Sequence, residues 1–545
     1  MSAPFTGPYT RREILTLSGQ AVALGALAPR LAFGASESSG QAFGAVVGDP
    51  IGAKIGEKIL RDGGNAIDAA VAAAFAAGIA SPSKCGLGGY GGHAMIARAG
   101  GQKITAIDFD STAPAAARPD MFPLDTDGRV RGNVNSTGWL AAGVPGTLAG
   151  LQLALERHGT RSLRDVLAPA IQLCEEGVHV APIKGIDDNA SRNDPRPDAA
   201  QGVPLPRAKQ RNLALGRLLK TLAARNSAES FYRGDIAGQI AAAFRRGGGL
   251  VTEADLAAYR AREMPPLTLE WNGATIHTVP LPATGLLLLE AFAILKALDW
   301  KHLPASKRKH AKLEALRIAW ADRLRTFGDP DFVKIPVNDY TSPAHASAMA
   351  KKIAVALEAN APVPLTVEPN RAGGTAHISA VDKAGNMAAV TLTHGGSYGA
   401  RVSVEELGLI LGHGMSRFDP RPGRPNSPGP RKRPITNMCP TIVTRNGVPV
   451  FALGAAGGTR IPNSVYEVLL NFVGLEAPIE SAMSALRLNA DGSLNIGLEK
   501  SAPAEEEAFF RKIGYNVSRI AGAYVSAVAR DPQTGETQGI SSGGA

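Results

Sequence analysis

The chain has 545 residues, 44% of them hydrophobic and 19% charged, with 62 glycines and 38 prolines. That is the make-up of a soluble globular protein with length for roughly two to four domains. The formal net charge of +10 is dispersed. Its one dense run, Arg431-Lys432-Arg433, is flanked by prolines and carries no nucleic-acid motif, which argues against a nucleic-acid partner. Cys85, Cys174 and Cys439 form no CxxC pair, and the histidines show no metal-ligand spacing. HExxH, a P-loop and a GxGxxG after a strand are all absent, so no metal and no organic cofactor is expected.

The first 35 residues read as an address. Arg11-Arg12 precedes a modest apolar stretch from Thr16 to Leu27 and a small-residue zone, Ala32-Phe33-Gly34-Ala35. This resembles a twin-arginine export signal, implying a periplasmic or secreted protein. The apolar part is too short and polar for stable membrane insertion.

After the leader, Gly44–Val47 reads as a strand and Ile51–Leu60 as a helix. Asp62-Gly63-Gly64 turns the chain. Asn65 then caps a second, alanine-rich helix over Ala66–Ala77, with Asp68 supporting its positive end. Cys85–Gly92 holds five glycines in eight positions; it reads equally as a loop lining a site or as a turn feeding the strand His93–Ala97. Helical periodicity returns near 146–157, 162–175, 235–246 and 311–325, with short strands near 266–279. Glu368–Gly374 is polar and Pro/Gly-containing, an exposed stretch suited to cleavage.

Two hairpins follow. Ala376–Val381 and Met387–Thr393 flank the turn residues Asp382–Asn386. A turn centred on Ala384 places Thr375 opposite Thr393. Threonine favours strands, so the pairing alone is unremarkable, but Thr375 directly follows Gly373-Gly374. In the second hairpin, Thr441–Thr444 and Val448–Gly454 flank Arg445-Asn446-Gly447. That strand runs into Gly457-Gly458, and Ser464-Val465-Tyr466-Glu467 reads as a capping box opening a helix. Glycines between a strand and a helix start aim backbone N–H groups at an anion.

These blocks together resemble the gamma-glutamyltranspeptidase family of N-terminal-nucleophile hydrolases. Matching segments are Asp62–Ala70, Val144–Thr147, Gly248–Val251 with Asp255–Tyr259, Phe327–Phe332, Thr375–His377, Lys432–Pro434, Pro440–Val443 and Gly457–Arg460. The resemblance implies an α+β fold, a four-layer αββα sandwich. It implies autoprocessing between Gly374 and Thr375 into a large subunit (36–374) and a small catalytic subunit (375–545). Thr375 takes the nucleophile position, its freed α-amine serving as base. Thr393 matches the threonine that hydrogen-bonds the nucleophile, and Gly457 and Gly458 match the oxyanion pair. The mechanism needs no metal and no cofactor.

The recognition positions depart from the family. Asp110 stands where the family has an arginine for the substrate carboxylate. Arg417 stands where it has an acidic residue for the substrate amine. Thr436 and Asn437 replace paired serines, and Gly395 replaces an asparagine. Asp110 repels a carboxylate and Arg417 an ammonium, whereas an arginine binds a carboxylate with two-pronged geometry. The expectation is an amidohydrolase or acyltransferase acting on a small-molecule amide or peptide-like substrate whose acyl group is not standard γ-glutamyl. Asp110 and Arg417 either bind substrate or neutralise each other. A genuine glutathione-type γ-glutamyl hydrolase or transpeptidase, and a catalytically silent binding protein on the same scaffold, stay open. Arg421, Arg424 and Arg431 read either as a basic mouth for acidic substrates or as solvated loop arginines.

Overall fold

The computed structural model describes residues 42–101, 103–179, 209–367 and 374–542. The leader at 1–35 and the stretch 368–373 lie outside the described residues. Two six-stranded sheets form the centre. Their strands in chain order are β1 (Gly44–Val47), β2 (Gly91–Ala97), β3 (Ile104–Asp108), β4 (Arg262–Met264), β5 (Leu267–Trp271), β6 (Ala274–Thr278), β7 (Gly374–Asp382), β8 (Met387–Gly395), β9 (Thr441–Arg445), β10 (Val448–Ala456), β11 (Tyr524–Arg530) and β12 (Thr537–Ser542). One sheet runs β1-β7-β8-β2-β3-β4, the other β12-β11-β10-β9-β6-β5, and every neighbour in both is antiparallel.

Period-two alternation gives β7 and β8 two apolar faces. Ala376, Ile378, Ala380, Ala388, Val390 and Leu392 join a core shared with helices. Val381, Met387 and Ala389 join Ile442, Ala452 and Val528 from the other sheet. A sheet buried on both faces needs two covering layers. The first comprises α1 (Pro50–Arg61), α2 (Ala66–Ala80), α3 (Thr147–His158), α4 (Leu163–Glu176), α5 (Leu213–Arg225) and α6 (Asp235–Gly247). On the far side α7 (Gly285–Ala297) and α10 (Arg460–Leu469) lie against the other sheet, and α8 (Ala305–Thr326) and α9 (Pro343–Ala359) pack on α7. Trp271 of β5 meets Phe292 of α7, which stacks on Tyr466 of α10 at 5.1 Å. The layer order is αββα.

The Asn65 expectation is met in detail. Its side chain accepts from the Ile67 and Asp68 amides, and Asp68 accepts from the Asn65 amide. All 15 residues of α2 are buried, as an all-round apolar helix requires. Gly52 permits α1 to close on it, since a Cβ there would lie 2.6 Å from the Ala73 carbonyl oxygen.

The helical reading needs correction in two places. Helices α5, α7 and α9 fall outside the segments read as periodic. The helix expected to open at Ser464 opens instead at Arg460, leaving Ser464 buried in its interior. The chain leaves Gly457-Gly458 already turning: Arg460 N donates to Gly457 O and Ile461 N to Gly458 O.

Candidate active site

From Ala376–Leu392 to Val381–Met387 the hairpin pairs as the turn chemistry predicts. At the open end it slips, pairing Gly374 with Gly395 and leaving Thr375 at the irregularity. Such a bulge re-aims a side chain. Thr375 shares the inter-sheet face with Ser379, whose hydroxyl donates to the Ser526 carbonyl of β11. Thr375 Oγ1 donates to Thr393 Oγ1 at 3.5 Å, and Thr393 Oγ1 accepts from the Gly395 amide at 2.7 Å.

The facing sheet completes the site. β10 ends at Ala456, and Gly457 and Gly458 follow with φ of 151° and 65°, values that glycine adopts readily. A Cβ on Gly457 would lie 2.9 Å from that of Ala523. These glycines deliver the chain to the start of α10, which has no side-chain cap at Thr459. A helix N-terminus at that spot favours negative charge. Gly458 and Thr375 line one pocket with Tyr90, Gly395, Arg417, Asn437, Met438 and Ile461. The glycine-rich 85–92 loop thus serves the site, carrying Tyr90 to its wall.

Among the described residues lining this pocket, the charged one is Arg417. It ends a 3-10 turn, Gly414–Arg417, and donates to the Gly395 carbonyl at 3.1 Å. Behind the wall stands Arg323 of α8, a residue the sequence reading missed. It is buried, donates to Thr436 O at 2.8 Å and to Asn437 Oδ1 at 3.0 Å, and lies over the Trp320 ring. Burial, with Arg417 adding to it, pulls its guanidinium down to about 9. The available signal was its place four residues before the matched segment that starts at Phe327, in the mixed stretch Asp322-Arg323-Leu324-Arg325.

Asp110 and Thr436 sit outside the pocket lining. Asp110 Oδ2 accepts from His93 Nε2 at 2.7 Å, and Thr436 Oγ1 lies 3.3 Å from the same nitrogen. Asp110 Oδ1 has no hydrogen-bond partner, so neither oxygen bonds Arg417. Burial drives the Asp110 carboxyl up to about 6 against the opposing pull of His93. Asp108 beside them is held by Arg262 and Arg433. Nor do the loop arginines line the Thr375 pocket. Arg421 pairs with Asp419, and Arg431 lines a second cavity with Asp255, Arg260, Asp331 and Arg433. Cys85, Cys174 and Cys439 are buried and unbridged. No helix among the described residues is long and apolar enough to cross a membrane.

The sequence matches the profile of the family described as gamma-glutamyltranspeptidase over residues 52–543. It is 35% identical over 466 residues to a glutathione hydrolase proenzyme of Escherichia coli (strain K12), covering 81% of this chain and 80% of that one. It is 33% identical over 516 residues to an acylase ACY 1 proenzyme of Pseudomonas sp. (strain SE83), covering 91% of each. The fold superposes on a cephalosporin acylase from Bacillus halodurans with a TM-score of 0.81 and 25% identity, covering 95% of this chain and 97% of that structure. With a family match over nearly its whole length and relatives named as glutathione hydrolase and acylase proenzymes, the chain belongs to the gamma-glutamyltranspeptidase family.

Proposed function

We propose that the chain is a proenzyme that cuts itself between Gly374 and Thr375, and that the new N-terminal threonine then attacks amide-linked acyl groups bearing a negative charge. That it is an amide hydrolase or acyltransferase follows from its family; the nucleophile and the acyl class are our reading. In the cut, Thr375 Oγ1 attacks the Gly374 carbonyl carbon and the Gly374–Thr375 C–N bond breaks, giving an ester. Water hydrolyses that ester, leaving a Gly374 carboxylate and a free Thr375 amine. An α-amine titrates near pH 8, so it accepts the hydroxyl proton near neutrality. Thr375 Oγ1 attacks the substrate carbonyl, the amine leaves with that proton, and water or a second amine releases the acyl group. The Gly457-Gly458 segment is suited to stabilising the oxyanion.

One observation carries the acyl class: the charged group among the described residues lining the pocket is the Arg417 guanidinium, set beside Thr375 by its bond to the Gly395 carbonyl. A γ-glutamyl group presents an ammonium as well as a carboxylate, and Arg417 repels the ammonium. A dicarboxylic monoamide presents the carboxylate alone. The leader at 1–35 supports export of the proenzyme, and the two subunits would remain together because β7 and β8 pair with β1 and β2 of the large subunit.

The test has two stages. Denaturing mass spectrometry should give two fragments for wild type, the smaller starting at Thr375, and one intact chain for Thr375→Ala. The cut protein is then offered a glutaryl anilide and the γ-glutamyl anilide, which differ by one amino group. Faster release from the glutaryl compound is expected; preference for the γ-glutamyl compound would overturn the acyl assignment.

A further inference from the structure

Away from the Thr375 pocket, three helices of the outer layer bring two carboxylates and an imidazole to one point. Glu290 comes from α7, Asp322 from α8 and His345 from α9, and their potential ligand atoms all lie within 4.8 Å of one another. His345 Nε2 is 2.9 Å from Glu290 Oε1, close to the spacing of neighbouring ligands around a small divalent ion. Glu290 is completely buried, on a helix whose neighbouring positions are apolar, and its Oε2 has no hydrogen-bond partner.

Two facing carboxylates inside a protein demand a cation or a proton between them. The protein supplies little cationic charge here. Arg325 pairs with Asp322 Oδ1, but its side chain is 63% exposed, and surface screening weakens it. The other buried carboxylate–histidine group, His93 with Asp108 and Asp110, differs in this respect. There the Arg262 and Arg433 guanidinium groups already sit on Asp108.

We propose that Glu290, Asp322 and His345 bind a divalent first-row transition ion of the Zn2+ or Mn2+ class, cross-linking α7, α8 and α9. The donor set, one imidazole nitrogen with two carboxylates, suits these ions; Ca2+ takes six to eight oxygens. His345 lies at the rim with its side chain 21% exposed, which gives an entry path from solvent. The Tyr340 ring edge packs on the imidazole at 5.6 Å, and the Tyr340 hydroxyl lies 2.7 Å from Thr326 Oγ1, so the ring is oriented from outside. Asp322 precedes Arg323, the residue bonded to Asn437 of the pocket wall. An ion at this point fixes the end of α8 that supports the wall, without touching the reacting atoms.

The test uses the full-length protein after chelation and buffer exchange. Calorimetry should show one Zn2+ or Mn2+ per chain, and saturation should raise Tm by a few degrees. Both signals should vanish in His345→Ala, whose partly exposed position keeps the fold safe, and in Glu290→Gln, which keeps the side-chain volume. No binding by wild type would overturn the site and leave the two carboxyl groups sharing a proton. Binding that survives in both variants would place the ion elsewhere and overturn it equally. A response to Mg2+ or Ca2+ but not Zn2+ or Mn2+ would overturn the ion class.

Discussion

Thr375 and Thr393 stand with their hydroxyl oxygens 3.5 Å apart at the point where the β7–β8 register slips by one residue. The Thr393 hydroxyl is fixed from behind by the Gly395 amide, so it can orient the Thr375 hydroxyl. Thr393→Val keeps the shape of a fully buried side chain and removes that orienting oxygen. A lost hydrogen bond of this kind costs about 1–1.5 kcal/mol, on the order of a ten-fold loss of rate. Self-cutting of Thr393→Val, followed by mass spectrometry over time, should slow by that order. An unchanged half-time would remove Thr393 from the reaction.

Arg417 is the charged side chain lining the pocket, and its bond to the Gly395 carbonyl directs it there. Arg417→Gln removes the charge while keeping a donor. Charge-assisted hydrogen bonds contribute about 1.5–3 kcal/mol. Hence kcat/KM on a glutaryl anilide should fall roughly 10- to 100-fold, while cutting before Thr375 proceeds. An equal loss on an uncharged acyl anilide would show that Arg417 shapes the pocket and does not read charge.

Asp68 makes a prediction about stability. Completely buried at the start of α2, its carboxylate accepts from the Asn65, Thr160 and Arg161 amides and the Thr160 hydroxyl. It ties the α2 N-terminus to the turn leading into α4. Asp68→Ala strands several donors at once, each costing about 1–3 kcal/mol when left unmet in the interior. The variant should lose about 3–5 kcal/mol in chemical denaturation. Asp68→Asn, which keeps an acceptor, should lose less.

How far the sequence carried these conclusions depended on whether a signal was local. Asn65 and Asp68 announce a helix start because a capping box spans four residues. The turn at 382–386 sets the hairpin register because pairing follows from the turn outward. The slip at Thr375 was illegible, since it depends on Gly374 meeting Gly395 at the hairpin's far end. The displaced start of α10 was hidden because Ser464–Glu467 mimics a cap while the preceding glycines had already turned the chain. Of the recognition positions, Arg417 and Asn437 line the pocket as read, whereas Asp110 and Thr436 do not, for a related reason. Sequence position places Asp110 beside substrate, but His93, seventeen positions earlier on the paired strand, claims its carboxylate. The Glu290–Asp322–His345 cluster comes from three separate helices, and Arg323 meets Asn437 only through the fold, so no spacing rule reports them.

The His93–Asp110 pair makes the last prediction, on pH. Both groups are buried, and both hold protons more tightly than usual. Burial raises the Asp110 carboxyl from 3.8 to about 6. Burial alone would lower His93, but the Asp110 charge and hydrogen bond outweigh it and carry His93 above 6.5. A raised value in the folded state means that folding favours the protonated form. The stabilisation is therefore fully present below the unfolded values. It is lost as pH climbs, starting near 4 for Asp110 and continuing beyond 6.5 for His93. Asp110→Asn removes the acid and the pull on His93 together. The comparison is made in the uncut Thr375→Ala background, where a single polypeptide unfolds. There the chain that keeps Asp110 should lose roughly 1–3 kcal/mol relative to the Asp110→Asn variant between pH 5 and pH 8. Urea denaturation at those two values reads the difference directly. Parallel stability curves would show that the pair exchanges no proton over this range, and a stability gap that widens in favour of Asp110 on raising the pH would reverse the assignment.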